Sequence, residues 1–216
     1  MMKNKSSLLF PNRCVLCREI LSTDDFLCPA CREETETYEK ITKHSAGENI
    51  ADAVHCFVYR GKIRQAILRY KFRHAKSYHL YFGAEMAKRL QAEDVLDWKP
   101  DVITYVPIGP WRMWQRGYNQ SELLAGEISK VIGVPVEKLL KKRWFVKRQS
   151  TLSKVERKTK IKGKFQGFSR EKMAGKRILL VDDVFTTGST VCECARILKI
   201  FGALEVYCIT LAKTMK

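Results

Sequence analysis

Ile178-Leu179-Leu180-Val181-Asp182-Asp183-Val184-Phe185-Thr186-Thr187-Gly188-Ser189-Thr190 decides the fold of this 216-residue chain. Four apolar residues, Ile178 to Val181, run without alternation, the pattern of a parallel strand buried on both faces. Two adjacent acids follow at its carboxyl end, the edge where open α/β sheets bind ligands. A hydroxyl-rich turn comes next, and then a helix expected to run to about Phe201. Ser189 or Thr190 is placed to cap that helix, leaving N–H groups that face the turn. Those groups, with roughly half a positive charge of helix dipole, attract a phosphate. Gly188 lets backbone approach the oxygens. Asp182 and Asp183 are placed to accept hydrogen bonds from ribose hydroxyls, with a divalent cation alongside. Taken singly, two acids after a strand often only end it. It is the order of the parts that points to a sugar phosphate.

The surrounding text alternates strands with helices. Ala53 to Tyr59, Val102 to Val106 and Leu204 to Leu211 read as strands, with Pro107 stopping the second. Gly61 to Phe72, Tyr81 to Leu90 and Gln120 to Ile132 read as helices. Ile63, Ala66, Ile67 and Tyr70 share one face of the first, and Gly133 ends the last. The alternation implies a doubly wound parallel sheet. Arg116-Gly117-Tyr118-Asn119-Gln120 repeats the order of loop, glycine and helix start, a second natural anion seat. Lys71, near the end of a helix, either reaches an anion there or snorkels to solvent.

The amino-terminal part carries a different signal. Cys14 and Cys17 form one CxxC pair, and Cys28 and Cys31 form another after a ten-residue spacer. Two such pairs close a tetrahedral thiolate site, with zinc the expected metal. Disulfides are the alternative, but no export signal accompanies the cysteines. Four thiolates leave no open position for water, so the zinc is structural. Residues 1–48 are expected to form this module and 49–216 the α/β domain. Cys56, Cys192, Cys194 and Cys208 read as small core residues, and His44, His55, His74 and His79 fit no metal spacing.

Composition limits the class. Apolar content of 45% suits a globular protein, and no apolar run approaches the about 20 residues of a membrane span. The start has too short an apolar run for a signal peptide, so a reducing cytoplasm is expected, without membrane insertion. Net charge is +17, and it is unevenly spread. Residues 1–50 hold 7 basic and 8 acidic residues, whereas Lys138 to Lys164 holds twelve basic residues and one acid, Glu156. Lys141, Lys142, Arg143, Trp144, Lys147, Arg148 and Arg157 lie in that segment, where cations suit phosphates and rings suit unstacked bases. A solvated charged loop is the other reading. Trp111 to Arg116 is a second basic, aromatic stretch, outside any clean periodicity.

Val181 to Thr190 resembles the phosphoribosyl-pyrophosphate signature of the type I phosphoribosyltransferases. The resemblance implies that Asp182 and Asp183 hold the ribose 2′ and 3′ hydroxyls. It implies that Thr186, Thr187, Gly188, Ser189 and Thr190 hold the 5-phosphate, and that Arg116 and the amides near Gly117 bind pyrophosphate, magnesium accompanying the ligand. Over nearly its whole length the chain is similar to the ComF branch of phosphoribosyltransferase-like competence proteins. That likeness rests on the double CxxC, Arg69-Tyr70-Lys71-Phe72, Val106-Pro107, Arg116 to Gln120, Gln149 with Leu152, Glu156-Arg157, Gly163, Phe165 and the Asp182 to Thr190 loop. Tyr118 and Lys160 depart from it, standing where Phe and Asn are usual. The likeness implies a role in DNA uptake beside a helicase-like partner, with single-stranded DNA and phosphoribosyl pyrophosphate as ligands. Two other readings remain compatible: an active phosphoribosyltransferase acting on an unidentified base or amine, and a zinc-organised scaffold without ligand chemistry.

Overall fold

The computed structural model describes residues 12–36, 49–143 and 163–215. Four strands form one wholly parallel sheet: β1 (Asp52–Val58), β2 (Val102–Tyr105), β5 (Arg177–Phe185) and β6 (Glu205–Lys213), in the order β1-β6-β5-β2. Helices α2 (Gly61–Phe72), α3 (Tyr78–Leu90) and α5 (Gln120–Ile132) cover one face, and α6 (Ser189–Ile200) the other. The described residues also form the short helices α1 (Pro29–Glu36) and α4 (Pro110–Arg116), a 3-10 turn at Glu93–Trp98, and a two-stranded antiparallel ribbon of β3 (Leu140–Lys142) and β4 (Phe165–Gly167).

The apolar run of β5 is divided between two cores. Leu179 and Val181 pack with Leu124, Ala125 and Ile128 of α5, while Ile178 and Leu180 pack with Cys194, Ala195 and Leu198 of α6. Every one of these side chains is buried, and a fully buried leucine contributes about 1.5–3 kcal/mol. Burial on both faces is why the run does not alternate. At Gly83, α3 meets α5 so closely that a Cβ would lie 2.3 Å from Glu127 Cβ.

This division fixes where a ligand can enter. The chain leaves β2 for α5 on one face and leaves the neighbouring β5 for α6 on the other. Connections that part in this way open a crevice at the carboxyl ends of the two strands.

Several expectations shift. The acids are inside β5, which continues to Phe185 because its pairing with β6 persists to Phe185↔Lys213. Pairing with β2 stops at Tyr105↔Val181, so the acids stand just beyond the end of the shorter neighbour. Trp111 to Arg116 is helical, started by Pro110 in the first turn and ended by Gly117 at φ 75°. Neither Ser189 nor Thr190 caps α6. Gly188 holds that position at φ 72°, and Ser189 begins the helix without a side-chain cap. The ribbon lies in what reads as a charge run.

The cysteine lobe is built from two similar turns. Arg18 N donates to Cys14 O and Arg32 N to Cys28 O, each at 2.9 Å. Val15 and Leu16 between them join the buried cluster of α2 and α3. Arg69 of α2 fixes the lobe by donating to Val15 O at 2.8 Å and Leu16 O at 2.7 Å.

Candidate phosphate cleft and metal centre

The crevice between β2 and β5 is a cavity of about 280 Å³. Asp182, Asp183, Ser121 and Thr190 line it together with five cations: Lys71, Arg112, Arg116, Lys142 and Lys164. Positive charge exceeds negative, and the cations crowd one another. Burial holds Lys142 below the usual lysine range, and the charges of Arg112, Lys164 and Arg116 add to the effect. Arg116 is likewise lowered, chiefly by burial, with Asp183 opposing. Such a site gains by taking an anion.

The acids differ. Asp182 is buried, its Oδ1 accepting from Ser121 Oγ at 3.0 Å and from the Asp183 amide at 2.9 Å. Burial, and then the charge of Asp183, pushes its carboxyl up to about 7, against the pull of that amide, Lys71 and Ser121. Asp183 is less enclosed and accepts from Lys71 Nζ at 2.7 Å. Lys71 therefore neither reaches only for an anion nor merely snorkels: it is the partner of an acid in the cleft.

The last turn of α2 joins the parts. Arg69 holds the cysteine lobe, Tyr70 donates its hydroxyl to Gln120 O at 2.9 Å, Lys71 meets Asp183, and Phe72 lies under the Arg116 guanidinium at 4.7 Å. Arg116 Nη1 donates to Gln120 Oε1 at 2.9 Å, and its buried Nε has no partner among the described residues. The Tyr118 hydroxyl donates to Tyr70 O, which gives a tyrosine a use where the resemblance expects phenylalanine.

The loop after β5 carries exposed Thr186 and Thr187, then Gly188. Thr187 Oγ1 and Ser189 Oγ are 2.8 Å apart. A Cβ on Gly188 would come within 2.5 Å of the Phe185 ring, so glycine is needed for its φ and for that ring as much as for any ligand. Thr190 faces the cleft, and Thr214 N pins the loop by donating to Phe185 O at 3.0 Å.

Of the residues expected to meet DNA, Trp144, Lys147, Arg148 and Arg157 lie outside the described residues, as do Gln149, Leu152, Glu156 and Lys160. Lys141 and Lys142 point to opposite sides of β3. Lys142 lines the cleft, whereas Lys141 is exposed with its Nζ 5.3 Å from the Phe168 ring centre. Arg143 is exposed. Arg112, Lys164 and Ser121 are cleft residues that sequence reading passes over. Pro110 was the available signal for Arg112, since a helix starting there sets Arg112 one turn before Arg116. His55 and His79 have packing contacts, to Thr210 Oγ1 at 2.7 Å and Lys76 O at 2.6 Å.

The four cysteine sulfurs, Cys14, Cys17, Cys28 and Cys31, lie within 4.8 Å of one another. Cys17 and Cys28 sulfurs are 3.6 Å apart, close to the about 3.8 Å edge of a tetrahedron with 2.3 Å zinc–sulfur bonds. Burial would raise the Cys14 thiol, but the backbone groups of Cys17, Cys28 and Leu16 outweigh it and bring it to about 7. Lys62 Nζ, 3.8 Å from Cys31 Sγ, sets a cation against the cluster. The donors and spacing fit zinc, with all four positions filled by sulfur. No helix among the described residues is long and apolar enough to cross a membrane.

Two family models match the chain: a phosphoribosyl transferase domain over residues 119–216 and a double zinc ribbon domain over residues 6–57. Competence protein F of Haemophilus influenzae is 28% identical over 222 residues, covering 91% of this chain and 95% of that protein. DNA utilization protein YhgH of Escherichia coli is 35% identical over 117 residues, covering 54% of this chain and 51% of that protein. Among solved structures, the glutamine phosphoribosylpyrophosphate amidotransferase from B. subtilis complexed with ADP and GMP matches at TM-score 0.43 and 27% identity. That match covers 62% of this chain and 26% of the other. The sheet, the family model over its second half and the cysteine lobe make this a phosphoribosyltransferase-type α/β fold with an amino-terminal zinc ribbon.

Proposed function

We propose, because this chain belongs to the ComF family, that it is a DNA-uptake protein of the cytoplasm that binds phosphoribosyl pyrophosphate and single-stranded DNA. One observation carries the ligand reading: an acid pair and Thr190, the last residue of the hydroxyl loop, line a single cleft together with five cations. In this reading the Thr186–Thr190 loop seats the 5-phosphate against the start of α6. Asp182 and Asp183 accept from the ribose hydroxyls, and Arg116, with Lys71 and the amides near Gly117, takes the pyrophosphate. Asp182 and Asp183 also offer oxygens to magnesium, which would supply positive charge against the pyrophosphate. Lys71 must leave Asp183 for any of this, so ligand entry exchanges one ion pair for another.

Single-strand binding rests on the excess of cations in residues 138–164 and along the cleft, and the uptake role on the names of the relatives. A helicase-like competence protein is the expected partner. Calorimetry with phosphoribosyl pyrophosphate and magnesium, and with a short single strand added before and after, tests both ligands. Saturable heat from the first, and strand affinity falling steeply with salt, are expected. No heat from the first, or strand affinity flat with salt, rejects the corresponding half.

A further inference from the structure

Helix α4 exposes what globular proteins usually bury. Trp111 is 71% and Trp114 77% exposed, and they stack on each other with ring centres 5.2 Å apart and planes 30° apart. They are one turn apart on the solvent side of α4, while Arg112, between them in sequence, lines the cleft. Gly109, at the start of the helix, lies against Lys142, since a Cβ there would be 3.6 Å from Lys142 Cδ. Two indoles therefore stand on the helix that borders a basin of unbalanced positive charge.

An occupant that uses both features offers a flat π face with an anion close beside it. An unpaired nucleotide does both. Its base cannot enter between the indoles. Two stacking intervals of about 3.4 Å need about 7 Å, and the rings are 5.2 Å apart. The base must stack on the outer face of the pair. Resting on the reading that this protein binds single strands, we propose that Trp111 and Trp114 form the stacking platform for an unpaired base of single-stranded DNA. The adjoining phosphate then lies against Arg112 at the mouth of the cleft.

The test uses the full-length, zinc-loaded protein and a fluorescent twelve-residue oligothymidylate, with affinity measured across a salt series. Trp111→Ala with Trp114→Ala should weaken binding about tenfold or more and leave the salt dependence unchanged, because stacking releases no counterions. Trp111→Phe with Trp114→Phe should restore most of the loss. Arg112→Gln should instead flatten the logarithmic salt slope by about 0.7. Unchanged melting and unchanged heat with phosphoribosyl pyrophosphate in the double alanine variant will show that the effect is local. Equal strand affinity in the double alanine variant and the wild type overturns the platform while leaving strand binding intact. A wild type that binds no strand overturns both. Loss of binding only to anionic phospholipid vesicles, with oligonucleotide binding kept, also overturns it.

Discussion

Asp182→Asn should stabilise the fold while impairing the site. The carboxyl of Asp182 has an ordinary value of 3.8 and is held at about 7 by burial and then by Asp183. A raised acid resists ionisation in the native state, so it costs stability as pH rises from 3.8, with the whole cost present above about 7. At about 1.36 kcal/mol per pH unit the upper bound is about 4 kcal/mol. The side chain lines a cleft that water can enter, and effective dielectrics are high even at buried sites, so about half of that is expected, about 2 kcal/mol. Asparagine keeps the oxygen that accepts from Ser121 Oγ and the Asp183 amide. For a chain of this size about 2 kcal/mol raises the melting temperature by about 4–8 °C. Scanning calorimetry of both proteins at pH 5.5 and pH 8, with zinc in excess, checks this, the variant being compared with the wild type at the same pH so that a change in metal binding cancels. The gain at pH 8 should be about twice that at pH 5.5, since half the titration interval lies below 5.5. A lower melting temperature in the variant at pH 8, or equal gains at the two pH values, would show that burial of the Asp182 carboxylate does not cost stability.

Three further outcomes follow from other contacts. Cys14→Ser, or removal of the metal by a chelator, should release one zinc per chain and unfold the ribbon, seen as zinc release by a colorimetric chelator and new protease cuts before residue 50. Arg69→Ala removes two charge-assisted hydrogen bonds to carbonyls of the ribbon and should cost about 3 kcal/mol in urea unfolding; a cost below about 1 kcal/mol would show that the bonds do not hold it. Gly188→Ala forces a side chain into a left-handed position and against Phe185, which should cost about 1–3 kcal/mol and weaken phosphoribosyl pyrophosphate more than tenfold; calorimetry showing unchanged affinity would remove this loop from the site.

Much of this architecture is legible in the sequence where local pattern and tertiary burial agree. Ile178 to Val181 reads as a two-sided strand because each side chain meets its own core, and the four cysteines announce their cluster by spacing alone. The failures have a common cause. Strand β5 runs on to Phe185, through two acids, because β6 supplies the hydrogen bonds, and no local propensity reports that. The ribbon of β3 and β4 is hidden because Lys141 and Lys142 look like a charge run, although one faces the cleft and the other solvent. Trp111 to Arg116 defies periodicity because a seven-residue helix with its indoles outward has no apolar inner face to read. The pairing of Lys71 with Asp183 spans 112 residues and follows only from the tertiary fold, which brings the last turn of α2 to the carboxyl end of β5.

The reading of the cleft depends on the seat of the 5-phosphate, and diffraction from the complex with phosphoribosyl pyrophosphate and magnesium would locate that phosphorus. The phosphate is expected within the Thr186–Thr190 loop at the start of α6, with ribose hydroxyls on Asp182 and Asp183 and Lys71 turned from Asp183 to the pyrophosphate. A ligand bound elsewhere, with Lys71 still paired to Asp183 and the loop empty, contradicts that reading.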